Sequence, residues 1–167
     1  MKLLLPFAAV MLLPSSTLQA ADPSRIAPPA APRRLIVNDD GHNGFYAGKW
    51  TDAASLRALP QALRGTHVGI YQWCVTLGTK VNYPSRIAEL CGEGVSPETL
   101  AAVRDGDRTL AALLQKLRAD GVDTLQCVAE GCHAADLRCY ASVRMNPVYP
   151  LQAAGWTGES MARFFNS

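Results

Sequence analysis

The sequence predicts an α/β fold with parallel strands. Short apolar runs that contain β-branched residues alternate along the chain with segments in which leucines recur at helical spacing. Alternation of this kind is typical of a parallel sheet whose strands are joined by helices. The pattern contains three strands, which are few for a sheet that must be covered on both faces. We therefore expect about three βα units that open a larger α/β fold.

The first strand is predicted at residues 34–37, an apolar and partly β-branched run that ends in the turn sequence of residues 38–41. Asp52 is expected to cap the helix that follows, because its side chain can accept a hydrogen bond from the first helical turn. Pro60 is expected to kink or shorten this helix, and Gly65 is expected to close it.

The second strand is predicted at residues 67–73, another apolar run. The loop that follows, from Cys74 to about Asp105, is much longer than the usual connection of roughly 4–6 residues. We therefore expect this loop to be functional or to contain small elements of its own.

The clearest helix is expected to have Asp107 as its cap and Gly121 as its stop, since the leucines between them follow helical spacing. Asp123 is expected to cap another helix, which runs to about Ala135. The third strand is predicted over residues 137–145, where apolar and polar residues alternate.

A last helix is predicted from about Thr157. Three parallel strands cannot close into a barrel, because a small barrel takes about eight. We therefore expect the apolar Phe164 and Phe165 to lack a next unit to pack against.

The first twenty residues have the three parts of a cleavable secretory signal. Lys2 supplies the basic start, residues 3–13 form an uncharged apolar run, and small residues precede Ala20. The apolar run is shorter than the roughly 20 residues that span a bilayer, so a retained anchor is the weaker interpretation. We expect cleavage after Ala20 or Ala21, export to the periplasm or the extracellular space, and no membrane association afterwards.

Residues 21–32 hold four prolines among alanines and are predicted to form an extended linker, so that residues 33–167 are the folded part. The sequence has 16 Lys and Arg against 14 Asp and Glu, and removal of Lys2 with the signal leaves a net charge of +1. A nucleic-acid binder would usually show a basic stripe. Nucleic acid is therefore not an expected partner, and the oligomeric state is left open.

The five cysteines all lie in the folded part of the chain. They are Cys74, Cys91, Cys127, Cys132 and Cys139. Export permits disulfides, and an odd count leaves at least one thiol unpaired within a monomer. A bridge between Cys74 and Cys91 is one possibility, although pairing cannot be deduced from sequence. The spacing of cysteine and histidine does not match the usual zinc motifs, so no metal or cofactor is expected.

Polar residues follow all three predicted strands, whose carboxyl ends meet at one edge of a parallel sheet. They offer the carboxylates, amides, guanidinium and indole that suit a polyhydroxylated ligand, and we take them as the candidate binding residues: Asn38, Asp39, Asp40, Trp73, Arg144 and Asn146.

A structural interpretation of the same residues stays open. Asp39 and Asp40 would then make an Asx turn, and Arg144 would pair with one of the two carboxylates. Trp73 would pack in the core instead of stacking on a sugar ring.

The chain resembles the start of exported bacterial glycoside-hydrolase-like barrel proteins of the family-ten-like type. The resemblance rests on residues 35–41 (LIVNDDG), on residues 63–68 (LRGTHV), and above all on residues 131–133 (GCH) followed by 142–146 (SVRMN). It runs from about residue 33 to the end of the chain and covers three strands. Pro147 stands where the resemblance leads us to expect an acidic residue.

The resemblance implies that residues 33–167 are the N-terminal part of a (β/α)8 TIM barrel that acts on or binds carbohydrate. Glycoside hydrolysis usually needs two carboxyl groups about 5–5.5 Å or about 6.5–9.5 Å apart. Asp39 and Asp40 are unsuited to this, because neighbours in an extended segment point to opposite faces. Barrel glycosidases commonly place the pair on the fourth and later strands. The catalytic residues are therefore unknown, and we expect a truncated chain that is inactive alone.

The rival interpretation comes from another class of protein. In that interpretation the chain is a small exported binding or interaction protein that catalyses no reaction.

Overall fold

The computed structural model describes residues 35–144 and 163–165. Its main sheet has three parallel strands: β1 (Leu35–Asp39), β2 (Val68–Cys74) and β5 (Arg138–Ser142). β2 lies between the other two, so the order of strands in the sheet follows their order in the chain. The predicted α/β class with parallel strands is confirmed.

Two short helices follow β1. α1 (Asn43–Tyr46) is a single turn, and α2 (Ala53–Ala58) continues into a 3-10 turn at Leu59–Leu63. The predicted cap of α2 is confirmed, because Asp52 Oδ1 accepts a hydrogen bond from the Ser55 amide at 2.7 Å. The α-helix gives way to the 3-10 turn at a proline, as predicted, because proline cannot donate the amide hydrogen bond of a longer α-helix.

The long segment after β2 contains small elements of its own, as predicted. β3 (Thr76–Leu77) and β4 (Lys80–Val81) pair antiparallel in a short hairpin, and α3 (Pro97–Ala102) follows them. α4 (Asp105–Ala119) comes next and packs against α1. Because the segment leaves the sheet at the carboxyl end of β2, its first residues lie at the edge that carries the predicted site.

α4 begins earlier than predicted, at Asp105, and Asp107 is not its cap. Asp107 is fully buried in the first turn, where its two carboxylate oxygens accept hydrogen bonds from Arg104 at 2.8 and 3.0 Å. A carboxylate in the first turn is favoured by the helix dipole, so an aspartate there gives nearly the same sequence pattern as a capping one. The predicted stop is confirmed, since Gly121 adopts the left-handed φ of +72° that follows a helix end.

α5 (Thr124–Ala134) leads back to the sheet and ends close to its predicted position. Its cap is Asp123, as predicted, and Asp123 Oδ1 accepts a hydrogen bond from the Gln126 amide at 3.0 Å. α5 packs against α2, and an exposed ion pair joins Arg57 Nε to Glu130 Oε2 over 2.6 Å. In the part of the chain that the structure describes, none of the helices has the length and apolar character needed to cross a membrane.

The prediction that Phe164 and Phe165 lack packing partners is wrong. Both side chains are buried, and the Phe165 carbonyl accepts a hydrogen bond from the Thr79 amide at 2.9 Å. Gly78 in the hairpin turn leaves the space, since a Cβ there would lie 2.2 Å from the Phe165 carbonyl oxygen. The β3–β4 hairpin thus supplies the partner. Residues 163–165 are helical, and the rest of the predicted last helix lies outside the described residues.

One face of the main sheet packs against the helices. Val37, Tyr71, Trp73 and Cys139 point to this side and lie in or against the main core, which aliphatic side chains of α2, α4 and α5 complete. We call the other side the open face. Its residues are Ile36, Asn38, Ile70, Gln72, Arg138 and Tyr140. Ile36 is 57% exposed and Tyr140 is 48% exposed, so this face is only partly covered.

Candidate functional site

The carboxyl ends of the strands bring two of the predicted site residues into direct contact. Asp40 follows β1 and Arg144 follows β5, and the Arg144 guanidinium forms an ion pair with the Asp40 carboxylate. The structural interpretation of these residues predicted that Arg144 would pair with one of the two carboxylates. Both side chains are roughly half exposed. The Arg144 amide also donates a hydrogen bond to Thr76 Oγ1 at 3.0 Å, which ties the end of β5 to β3. Asn146 lies outside the described residues.

Asp39 points toward the core side of the sheet and has both carboxylate oxygens engaged. Oδ1 accepts a hydrogen bond from the Gly41 amide at 2.7 Å, which is an Asx turn, and Oδ2 accepts one from the Tyr71 hydroxyl at 2.7 Å. Burial and the Asp39 carboxylate raise the pKa of Tyr71 well above its ordinary value, so the phenol stays protonated and donates. The structural interpretation of Asp39 is therefore the one observed.

Asp40 and Asp39 serve different partners, as expected for neighbours at the end of a strand. Asp39 stabilises the turn after β1 through its two hydrogen bonds. Asp40 and its partner Arg144 keep exposed polar atoms at the edge of the sheet. Asp40 and Arg144 are thus the residues of this edge that a ligand can reach.

His42 lies beside this edge, directly before α1. Its side chain is half-buried, and burial lowers its pKa below the ordinary value, while the Asp40 backbone carbonyl and carboxylate act in the opposite direction. Nδ1 is buried without a hydrogen-bond partner among the described residues. The imidazole ring contacts the Tyr46 ring edge-on, with 5.0 Å between centroids. A neutral imidazole next to the ion pair adds one donor and one acceptor to the site.

Asn82 holds the ends of β1 and β2 together from the loop after β4. Its fully buried side-chain amide donates hydrogen bonds to the Gly41 carbonyl at 2.7 Å and to the Cys74 carbonyl at 2.9 Å. Gly41 has a φ of +72°, and a Cβ there would lie 1.9 Å from the Cys74 carbonyl oxygen, so only glycine fits. No sequence pattern indicated this clamp, because its partners lie 41 and 8 positions away.

A row of polar side chains crosses the open face just below this edge. Asn38 on β1 pairs in register with Gln72 on β2, and Gln72 pairs with Tyr140 on β5. Residues in register on neighbouring strands share a face, so the three side chains lie side by side. Asn38 is the predicted site residue of this row, whereas Gln72 and Tyr140 are not among the six candidate residues named from sequence.

Trp73 does not present its ring to a sugar, which was the functional interpretation of this residue from sequence. Its side chain is fully buried on the helix side, where its ring lies 5.1 Å from that of Trp50. The reason is strand parity, because Trp73 is in register with Asp39 and shares a face with Tyr71. The core-packing alternative is the one observed, and the exposed aromatic ring of the sheet is Tyr140.

A depression of about 260 Å³ lies next to α1 and the start of α4. Its lining includes Tyr46, Arg104, Gly106 and Asp107. The Arg104 guanidinium carbon lies 5.9 Å from the centre of the Tyr46 ring, which is within the range of a cation–π contact. Because His42 contacts Tyr46, aromatic and cationic groups continue from the edge of the sheet toward α4.

These groups can bind a polar ligand, but Asp39 and Asp40 are not arranged like the two catalytic carboxyl groups of a glycoside hydrolase. Asp39 has both oxygens occupied, and Asp40 is adjacent to it in sequence. Among residues 35–144 and 163–165, no group of three or more His, Cys, Asp or Glu side chains is placed to hold a metal ion. In comparisons with known proteins, no family model matches the chain, and no curated protein matches its sequence.

Proposed function

We propose that the chain is the N-terminal part of an exported (β/α)8-barrel, glycoside-hydrolase-like protein, and that this part binds carbohydrate. The proposal rests on one observation: the open face of the sheet lies next to an edge that carries exposed polar side chains. The row Asn38, Gln72 and Tyr140 lies directly below the ion pair of Asp40 and Arg144. Amides, a carboxylate, a guanidinium and one aromatic ring are the groups that bind sugar hydroxyls and the apolar face of a sugar ring.

The barrel part of the proposal is supported by the way the helices are placed. Strand order follows chain order, and α2 and α5, which belong to the two successive connections, pack against each other on one side of the sheet. In a doubly wound sheet the strand order reverses and helices cover both faces. In a (β/α)8 barrel the helices form one outer layer and the other face points inward. The open face would then be the inner wall, with its polar row near the carboxyl-terminal mouth.

Binding is favoured over catalysis for the described part of the chain. Retaining and inverting glycosidases need two carboxyl groups about 5–10 Å apart with the scissile bond between them. Asp39 is committed to Gly41 and Tyr71, and Asp40 is paired with Arg144. We therefore propose that this region forms a wall of the sugar site, and a small exported binding protein without catalysis is the second candidate that fits the same observation.

The export part of the proposal rests on the sequence of residues 1–20, which lie outside the described residues. The N-terminal mass of the protein recovered from a secreting bacterial host tests it. We expect the chain to begin at Ala21 or Asp22, and a chain that retains its first thirteen residues in the cytoplasm would contradict export.

The binding test uses the exported protein and a panel of soluble oligosaccharides of differing sugar and linkage, measured by isothermal titration calorimetry. For a sugar that binds, we expect Asn38→Ala and Tyr140→Ala each to weaken the affinity at least about tenfold, which corresponds to about 1.4 kcal/mol. Both side chains are exposed, so their loss should leave the fold intact.

The matched control is Arg57→Ala, which removes an exposed side chain from the helix side of the molecule. We expect it to leave the affinity unchanged. A panel in which no sugar binds, or a sugar whose affinity is the same for Tyr140→Ala as for the natural chain, would overturn the proposed site.

A further inference from the structure

Two of the five cysteines lie side by side where α5 returns to the sheet. Cys132 is in the last turn of α5 and is fully buried in the core, whereas Cys139 is the second residue of β5 and is half-buried against the same core. The pKa of the Cys132 thiol is raised and that of the Cys139 thiol is lowered, and the largest cause of both shifts is a hydrogen bond between the two thiols. The two sulfur atoms are therefore neighbours in the folded chain.

The backbone fixes this juxtaposition. After α5 the chain reverses at Asp136, which has a left-handed φ of +59°, and the Leu137 amide donates a hydrogen bond back to the Cys132 carbonyl at 2.9 Å. β5 then runs beside β2, and strand alternation turns Cys139 toward α5 while Arg138 and Tyr140 face the open side. A short, hydrogen-bonded reversal of this kind keeps the last turn of α5 packed on the start of β5.

We propose that Cys132 and Cys139 form a disulfide when the folded chain meets a small-molecule disulfide oxidant. The bridge would join α5 to β5 across a loop of six intervening residues. Both residues already belong to the layer between α5 and the sheet. This inference does not depend on the proposed carbohydrate site, whose residue on β5, Tyr140, lies on the opposite face of the strand from Cys139.

The reaction is a two-step thiol–disulfide exchange. The Cys139 thiolate attacks one sulfur of the oxidant, which forms a mixed disulfide and releases one small thiolate. The Cys132 thiolate then attacks the Cys139 sulfur and releases the second small thiolate. In total two protein thiols are oxidised, one small disulfide is reduced to two thiols, and the two protein protons end on the leaving thiolates.

The neighbouring groups suit this order of events. Cys139 is the more accessible of the two, and the hydrogen bond from Cys132 lowers the pKa of the Cys139 thiol, which favours the attacking thiolate. Burial raises the pKa of Cys91 to about 12 and also raises the pKa of Cys127. These two cysteines are therefore poor first nucleophiles. The pKa of Cys132 is raised as well, so Cys132 reacts only in the second step, within the mixed disulfide. All five cysteines are free thiols in the structure.

The test uses the full chain, reduced and then equilibrated over a series of ratios of oxidised to reduced glutathione. The protein is quenched in acid, denatured, alkylated with iodoacetamide and weighed by mass spectrometry. We expect the number of alkylated thiols to fall from five to three in one step. Trypsin separates the two cysteines by cutting after Arg138, so the bridge appears as residues 119–138 linked to residues 139–144.

The variants Cys139→Ser and Cys127→Ser form a matched pair, because each removes one thiol near α5. We expect Cys139→Ser to keep four alkylated thiols at every ratio, and Cys127→Ser to fall from four to two. Five alkylated thiols in the natural chain at the most oxidising ratio would overturn the proposal. A linked peptide that joins Cys74 to Cys91 in place of the proposed pair would overturn it as well. Fragmentation of the linked peptide, in which Cys127 should carry the alkyl group and Cys132 the bridge, decides the question even if a variant fails to fold.

Discussion

The Arg144 guanidinium pairs with the Asp40 carboxylate across 104 positions of sequence. Because β1 and β5 lie on either side of β2, this ion pair bridges the carboxyl ends of the two outer strands. Its partners are half exposed, unlike the buried hydrogen bonds of Asn82 beneath it. A ligand can therefore take the place of one member of this ion pair. The Asn82 hydrogen bonds, in contrast, hold the ends of β1 and β2 together.

Replacing Arg144 with alanine should separate these two roles. An exposed ion pair contributes about 0–1 kcal/mol, so we expect Arg144→Ala to change the free energy of unfolding by no more than that. If the guanidinium binds sugar hydroxyls, the affinity for carbohydrate should fall by about tenfold or more. Urea unfolding and calorimetry on the same preparation measure both quantities. A variant that loses several kcal/mol of stability would show that the pair is chiefly structural.

Tyr71→Phe should destabilise the fold although it removes a single oxygen atom. The Tyr71 hydroxyl is almost fully buried and donates to the Asp39 carboxylate at 2.7 Å. A hydrogen bond to a charged group contributes about 1.5–3 kcal/mol, and its loss leaves one carboxylate oxygen without that donor. We expect a loss of this size in urea unfolding.

The control for this change is Tyr140→Phe on the open face, where the ring is 48% exposed. We expect an effect within about 0.5 kcal/mol, as for most surface substitutions. Equal losses for the two tyrosines would mean that the Asp39 hydrogen bond does not stabilise the end of β1.

Much of the local structure could be predicted from sequence, because the signals involved are local. Asp52 and Asp123 cap their helices as expected, and Gly121 ends α4. In each case the responsible groups lie within a few residues of one another, and their chemistry does not depend on the rest of the fold. The parallel sheet followed from the alternation of the same local elements.

Two kinds of feature could not be predicted from sequence. They are the face of the sheet on which a strand residue lies, and contacts between residues far apart in the chain. A shift of one residue along a strand reverses the face, and this reversal puts Trp73 in the core and Gln72 on the open side. Phe165 is buried, and its carbonyl accepts a hydrogen bond from the hydroxyl of Thr79, a hairpin residue 86 positions away. Asp107 was mistaken for a cap, whereas its buried carboxylate lies in the first turn of α4 and accepts hydrogen bonds from the exposed Arg104.

His42 should make the stability depend on pH in the acid range. Burial lowers its pKa below the ordinary 6.5, so the folded chain binds fewer protons at this site than the unfolded chain. The stabilisation from the neutral form is complete above about pH 6.5 and is lost as the pH falls through the lowered value. Asp40 and Asp39 oppose this shift, and Arg144 adds to it.

We expect His42→Asn to reduce the loss of unfolding free energy between about pH 7 and pH 5, measured by urea unfolding at several pH values. His133→Asn on the exposed surface of α5 is the matched control, and its pH dependence should follow that of the natural chain. If the His42 variant loses as much stability on acidification as the natural chain, the imidazole is not the responsible group.

Two helical glycines should respond in opposite directions to the same substitution. Gly131 on α5 lies against the α2 backbone, and a Cβ there would be 2.3 Å from the Arg57 carbonyl oxygen. The two helices would have to separate, and overpacking of this kind costs about 1–3 kcal/mol.

Gly106 in α4 faces the Tyr46 ring, and its Cβ would lie 3.4 Å away, which is ordinary contact. Alanine is favoured over glycine in a helix by up to about 1 kcal/mol, so Gly106→Ala should be neutral or stabilising. Thermal unfolding of both variants compares them directly. Because helix propensity alone would stabilise both, a destabilised Gly131→Ala beside an unharmed Gly106→Ala identifies the contact between α2 and α5 as the cause. A Gly131→Ala variant as stable as the natural chain would mean that the two helices are not packed this closely.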